Sequence, residues 1–451
     1  MKNILICLEK LNIGGVETFV LNQASVLLKE GHKVVILAKK GIFTEKLQQE
    51  GAICLDFEFE LGNQFYVEKI KNIEEIIKKY KINEVHINQF PCILSAMPAA
   101  IFSNVPYIAY SHNTIDDGYN WFMSTFDIYK YILPLYFMNA YKIIAITKHA
   151  KEEIIRRFSI EPNKIQIVNN SINFDEVDSI RKENKNSKKN FLLVSRLANE
   201  KGKSLYNAIE LFHSCQEKIP DAKLDIIGDG DDKQKLQDYI SENKIENVNF
   251  KGISTNVIQD MNNYDIILGL DRCILEALSM KKIAIILGYN ELKGIVTPDN
   301  IQEASIENFS GNNLTSKNKE EIIKNLIHYK EDEINEITQG NYEFVKERFD
   351  AKINYSNSIQ ENATSNVPIY FIDLLKLMIK RQEKFNEERK NFKNQIDKLQ
   401  KENIKLQESM ELQGNNLTEE IYALKKEIKE IYSSKRWRYA EKISKFLHKK
   451  N

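Results

Sequence analysis

Short apolar runs separated by amphipathic stretches recur along most of this chain, and that alternation restricts the fold more than any other feature. A strand buried on both faces reads as a continuous apolar run, whereas a half-buried one alternates. Such runs lie at residues 3–7, 33–38, 52–56, 84–87, 107–110, 142–146 and 165–168. Between them are stretches with apolar residues at helical spacing, among them 18–29 and 67–79. Parallel strands need crossovers long enough to hold a helix, so this pattern predicts a doubly wound parallel sheet. The pattern stops over 181–190, a Lys- and Asn-rich stretch that reads as a linker. It then restarts with runs at 191–194, 223–227, 248–250, 265–268 and 283–287. Two α/β domains in series, with a cleft between them, are expected.

With 451 residues there is enough chain for two or three cores. Lys+Arg and Asp+Glu are both 64, a formal net charge of zero, which argues against a general nucleic-acid binder. Cys7, Cys54, Cys92, Cys215 and Cys273 are scattered, with no CxxC pair or His/Cys cluster. They read as reduced, buried thiols, neither a disulfide framework nor a zinc site. The first apolar run is too short for a signal peptide, and no run reaches the roughly 18–20 apolar residues of a membrane span. A cytoplasmic protein is expected, with peripheral contact to the inner face of the membrane through its basic end.

Chemistry should sit where strands end, because open α/β sheets bind ligands at their carboxyl edges. Arg196 and Lys201 follow the run at 191–194; they suit phosphate oxygens, or are ordinary surface cations. Gly14-Gly15 precedes the first helix and reads as an anion-binding turn or a plain tight turn, and it does not match GxGxxG. His112 follows the run at 107–110, able to bond a sugar hydroxyl or to be a loop histidine. Glu276, near the start of the helix expected over 272–280, can accept both hydroxyls of a ribose, or merely complement the helix dipole. The aromatic stretch 119–141 should be mostly core, with a lip that touches membrane or a lipid-linked acceptor as the other reading.

Several motifs then fall in one order. They are Gly14-Gly15-Val16-Glu17, Gly31-His32, Asn169-Asn170-Ser171-Ile172-Asn173, Ser195-Arg196-Leu197 with Lys201-Gly202, Gly228-Asp229-Gly230, the 247–252 loop, and Leu275-Glu276-Ala277. Together they resemble the retaining glycosyltransferases of family 4, over residues 1 to about 355. That resemblance implies the GT-B fold: two Rossmann-like domains facing across a cleft, 1–178 on the acceptor side and 179–340 binding a nucleotide sugar. Residues 341–360 would be a helix crossing back to the first domain. It further implies that Arg196 and Lys201 hold the donor diphosphate, helped by Gly14 and Gly15. Glu276 would meet the ribose, Gly252 and Ile253 the base, and His112 the transferred sugar, with Gly230 and Leu275 also among the donor-binding residues. The partners would be a nucleotide-diphosphate sugar and a glycan or lipid-linked acceptor, without metal or cofactor.

Three departures stand out. The acid eight residues before Glu276 is replaced by Leu268, and the usual Gly-Phe-Gly by Leu270-Asp271-Arg272 after Gly269. Asp271 is the residue able to contact the donor sugar from a shifted position. Ser171 and Ser195 stand where the family has glycine, and Asn169 where it has proline. An alternative function follows, a donor-site-degenerate scaffold of a glycan-assembly complex; a GT-B sugar-nucleotide epimerase is a third reading.

Beyond residue 360 glycine and proline nearly vanish. Phe371, Met378, Phe385, Phe392, Leu399 and Leu406 recur every seven residues, which predicts a coiled coil over 361–432 and association of copies through it. The other reading is a long solvated helix folded back on the domains. Residues 433–451 form a basic amphipathic tail suited to an anionic membrane or a docking partner.

Overall fold

The computed structural model describes residues 1–112, 125–182, 188–198, 202–219, 221–356, 364–365, 367–413 and 418–434. A first sheet is built from β1 (Asn3–Lys10), β2 (Lys33–Lys39), β3 (Ile53–Asp56), β4 (Glu84–Ile87), β5 (Tyr107–Ser111), β6 (Lys142–Ala145) and β7 (Ile165–Ile167). Its order is β3-β2-β1-β4-β5-β6-β7 and every pairing is parallel. The side-chain period of two sends Leu5, Cys7, Val85 and Ile87 to one face, against the helices Val67–Lys79 and Phe90–Phe102. Ile4, Ile6, Val34 and Ile36 go to the other face, under the helix Gly15–Lys29.

The second sheet contains β8 (Asn190–Val194), β9 (Lys223–Ile227), β10 (Val248–Gly252), β11 (Ile266–Gly269), β12 (Ile283–Ile286) and β13 (Gly294–Ile295). The order is β10-β9-β8-β11-β12-β13, parallel except for the antiparallel β13. In both sheets the winding reverses beside the first strand, between β1 and β4 and between β8 and β11. A crevice opens at the carboxyl ends of such strand pairs, so topology alone selects the loops after β1, β4, β8 and β11.

The chain crosses between the domains twice. Phe174 and Val177, on the helix Phe174–Ile180, pack with Ile274 and Leu278 of the second domain. The helix Glu331–Phe349 covers the same cluster; then Ala351 and Tyr355 join the core of the first domain. The two crossings are stitched by a parallel bridge between Ile172 and Asp350. Above it, the Ser171 carbonyl accepts from Asn22 Nδ2 at 2.8 Å and from Arg272 Nη2 at 3.4 Å, one donor from each domain.

The helix Ile369–Gln413 starts on the first domain, with Phe371, Leu375 and Ile379 buried in its core and Met378 packed against it. The helix Thr418–Ser433 packs back along it. The first heptad residues therefore meet the chain's own domain. The basic stretch 435–451 lies outside the described residues, as does 113–124 of the aromatic stretch. No helix among the described residues is long and apolar enough to cross a membrane.

Gly228 sets the fit between β8 and β9. Its φ is +146°, and a Cβ there would lie 1.8 Å from the Ser195 carbonyl oxygen, a backbone atom with little freedom to move. Gly228→Ala is expected to destabilise the protein by about 3 kcal/mol, from overpacking and a disfavoured backbone together. Urea denaturation checks this; an unchanged midpoint would contradict the close approach.

Candidate functional site

On the first-domain edge, β1 runs into a loop that ends at Gly14, the residue capping the helix Gly15–Lys29. Helix N-termini favour negative charge, and here the Glu17 carboxylate accepts from its own backbone N–H. Glu17, in its first turn, folds back so closely that a Cβ on Gly14 would meet Glu17 Oε2 at 2.2 Å. Burial pushes the Glu17 carboxyl above its ordinary range. Gln89, just past β4, donates to Glu17 Oε1 at 3.5 Å and accepts from the Glu9 N–H at 2.6 Å, tying the two loops together.

His112 follows β5 directly. Its ring stacks on Tyr110 with 5.7 Å between centroids and meets Phe19 edge-on at 4.9 Å. Nε2 lies 2.9 Å from Asn88 Oδ1. Paired with that carbonyl oxygen, Nε2 carries the ring proton and Nδ1 is left as an acceptor. Burial pushes the imidazole down to about 3, so it is neutral at physiological pH.

Beneath it runs a buried polar chain that no local sequence pattern signals. Tyr110 OH lies 3.0 Å from His86 Nδ1, and His86 Nε2 lies 2.9 Å from Glu84 Oε1. Glu84 also accepts from Tyr141 OH and Lys2. Against the upward pull of burial, the bonds from His86 and Lys2 hold Glu84 down, to about 2. This network anchors Tyr110, and Tyr110 anchors the His112 ring.

On the second-domain edge, Arg196 is exposed just past β8. Lys201, expected beside it, lies outside the described residues. Gly230 packs on the Leu197 carbonyl, where a Cβ would come within 2.3 Å, so it closes the 228–230 loop onto the extension of β8. The Leu197 N–H donates to the Asp229 carbonyl, and the Gly228 N–H to the Gly252 carbonyl, which joins the ends of three strands. Ile253, one residue further, holds an apolar side chain 65% exposed.

Only Leu270 and Asp271 separate β11 from the helix Arg272–Ser279. Leu268 is fully buried, directed into the same cluster as Ile266, so a carboxylate at its position would enter the core rather than the cleft. Leu275, expected among the donor-binding residues, also turns into the core, and its N–H is already given to the Asp271 carbonyl. Asp271 has φ 56° and ψ −128°, a conformation that favours glycine, and its Oδ2 accepts from Tyr289 OH at 3.5 Å. Glu276 is buried, with Oε1 held by Arg272 Nε at 2.8 Å.

The two edges communicate through aromatic rings and Ser171. Phe19 touches both His112 and Tyr355, the latter with centroids 4.9 Å apart. Tyr355 lies beside Ser171 and feels the charge of Arg272. His112 and Glu276 thus stand at the ends of one continuous set of contacts. Asn88 and Arg272 are the residues that sequence reasoning missed. Their signals were an Asn directly past an apolar run and an Arg four residues before the key acid.

The sequence model described as Glycosyltransferase Family 4 matches residues 13–176, and that described as Glycosyl transferases group 1 matches residues 175–342. An uncharacterized glycosyltransferase of Methanocaldococcus jannaschii is 27% identical over 234 residues, 46% of this chain and 56% of that protein. The chain thus spans little more than half the length of that curated relative. Among solved structures, HepE from Anabaena in complex with UDP and glucose is similar with a TM-score of 0.60 and 14% identity, covering 79% of this chain and 98% of that one. S. aureus TarM, as a variant in complex with Fondaparinux, alpha-GlcNAc-glycerol and UDP, gives a TM-score of 0.56 and 12% identity over 79% and 99%. At these identities the structures share the fold.

Two outcomes follow from the geometry. Asp271→Gly should keep or raise the melting temperature, because it relieves a strain of order 1 kcal/mol, whatever it does to ligand affinity. A clear fall in melting temperature would contradict the strain. For His112, NMR titration of the ring should show no protonation between about pH 5 and 8, the range in which an ordinary histidine titrates.

Proposed function

Because the chain belongs to glycosyltransferase family 4, we propose that it transfers a sugar from a nucleotide-diphosphate donor to a glycan or lipid-linked acceptor, with retention at the anomeric carbon, in cell-surface polysaccharide assembly. The observation that carries this reading is the gathering of polar and charged groups at the switch points of two parallel sheets joined at Ser171. The UDP bound by HepE and TarM supports a nucleotide donor.

In this reading Arg196 and Lys201 take the diphosphate, together with the N-terminus of the helix that Gly14 caps. Glu276 accepts the ribose hydroxyls through its Oε2, and the exposed Ile253 beside Gly252 covers the base. Gly230 acts indirectly by holding the loop shape. Asp271 reaches the donor sugar in place of the acid that Leu268 cannot supply. His112 accepts from a sugar hydroxyl through Nδ1.

Chemically, the bond from the anomeric carbon to the phosphate oxygen breaks and negative charge grows on the diphosphate. Fixed cations stabilise that charge without reorganising, and such preorganised stabilisation is the main source of rate enhancement open to a site of this kind. The acceptor hydroxyl adds to the same face, and its proton passes to the departing phosphate oxygen. A neutral His112 beside the reacting carbon orients the sugar without opposing positive charge there. The scheme needs no metal, because the side-chain cations meet the charge.

A second reading, a scaffold with a degenerate donor site, is favoured by Leu268 alone. Incubating the full-length protein with a panel of nucleotide sugars separates the two. A transferase releases nucleoside diphosphate slowly even without acceptor, whereas a scaffold releases none.

Arg196→Ala should lower turnover about 100-fold or more, as expected when one fixed charge on the developing anion is lost. Glu276→Ala should weaken a nucleoside diphosphate by roughly tenfold while leaving inorganic diphosphate unaffected, because only the ribose contact is removed. Calorimetry with both ligands decides, and equal losses would sink the ribose role.

A further inference from the structure

Glu276 sits in surroundings that oppose its charge. Burial pushes its carboxyl above the ordinary range, and only Arg272 counters this. The pair spans one helical turn, Nε to Oε1 at 2.8 Å, with the two side chains 12% and 11% exposed. Arg272 reaches further through Nη2 to the Ser171 carbonyl at 3.4 Å. Its Nη1 is buried and has no hydrogen-bond partner among the described residues.

An unpaired buried donor costs about 1–3 kcal/mol, and more when charged, so such groups are rare unless a ligand completes them. Among the described residues, the other titratable groups near the pair are Asp271, which caps the helix, Cys273 on it, and Tyr355 from the helix Ala351–Ser356. Burial pushes both Cys273 and Tyr355 upward, so neither carries charge near neutral pH. Arg272 is the cation that opposes the Glu276 carboxylate.

Resting on the reading of Glu276 as the ribose acceptor, we propose that Arg272 is a positioning and specificity-determining residue of the nucleotide site. It holds Oε1 of Glu276 so that Oε2 is left for the ribose, and it reserves Nη1 for an oxygen of the same ligand. A cation that enters the cleft beside the ribose carboxylate gives this chain a donor site of different charge pattern from one lined by two acids. The preference that follows is for an added oxygen acceptor on the nucleoside half of the ligand. If Arg272 were only a clamp between domains, its loss would affect every ligand alike and at every pH.

The test uses the full chain and titration calorimetry with UDP, GDP and ADP, and inorganic diphosphate as control, from about pH 6 to 8. Wild type should bind one nucleoside diphosphate with nearly constant affinity. Arg272→Gln should bind it roughly tenfold more weakly at the acid end and recover part of that loss as pH rises. The sign follows from the carboxylate: without its cation Glu276 keeps a proton to higher pH, and a protonated carboxyl accepts the diol poorly. Inorganic diphosphate should bind Arg272→Gln as it binds wild type.

Arg272→Lys restores charge without the fork, so its pH profile should be flat while its affinity stays below wild type. This variant carries the test if Arg272→Gln does not fold. Glu276→Gln should bind weakly at all pH values, and combining it with Arg272→Gln should add no pH dependence. Wild-type affinity in Arg272→Gln, or an equal, pH-independent loss for diphosphate and nucleotide, overturns the proposal. Wild-type Arg272→Lys affinity overturns the role of Nη1. If wild type binds no nucleoside diphosphate at all, the transferase reading itself falls, and this proposal with it.

Discussion

The Ser171 carbonyl is the point on which the relation between the two sheets depends. It receives Asn22 from a helix of the first domain and Arg272 from a helix of the second, in a spot closed to solvent. The Ser171 hydroxyl donates to the Asn169 carbonyl and accepts from Asn354 Nδ2, which belongs to the returning crossover. A buried carbonyl that meets a donor from each domain is hard to move, because any shift leaves polar groups unpaired. Further contacts at the same seam, such as Asn308 Nδ2 to the Ile146 carbonyl at 3.0 Å, add to it. Polar bonds thus join the apolar packing at the seam, which suits a junction between domains that must present a cleft.

Across that seam the electrostatics divide. The first domain contributes a neutral imidazole held in place by stacking and by Asn88. The second contributes charge, exposed on Arg196 and buried in the Arg272–Glu276 pair. Ligand binding in such a cleft is anchored by one wall and shaped by the other. The five cysteines take no part; all are buried, and burial raises each thiol, which makes them poor nucleophiles.

Much of the fold was legible because buried parallel strands announce themselves as apolar runs. The expected run at 84–87 is β4 to the residue, and 223–227 is β9. The two-residue β13 was not legible, since a segment so short carries no period and pairs only because β12 leaves an open edge. Heptads over the tail were visible, but a heptad says that a helix has an apolar stripe and not what covers it. The early stripe residues Phe371 and Met378 meet the first domain, while Phe385 is 37% exposed.

The sequence by itself determined the two-domain α/β architecture and the strand ends at which Arg196, His112 and Glu276 stand, because strand period and chain order are local properties. It also showed that the position eight before Glu276 holds Leu268. Only the tertiary structure decided that this position is core, since Leu268 lies within β11 on the face it shares with Ile266, against the second domain's cluster. Only the tertiary structure turned Leu275 inward, paired Asn88 with His112, and left one arm of Arg272 buried without a partner among the described residues. Those outcomes depend on what packs against each side chain from distant parts of the chain, and no local pattern carries that information.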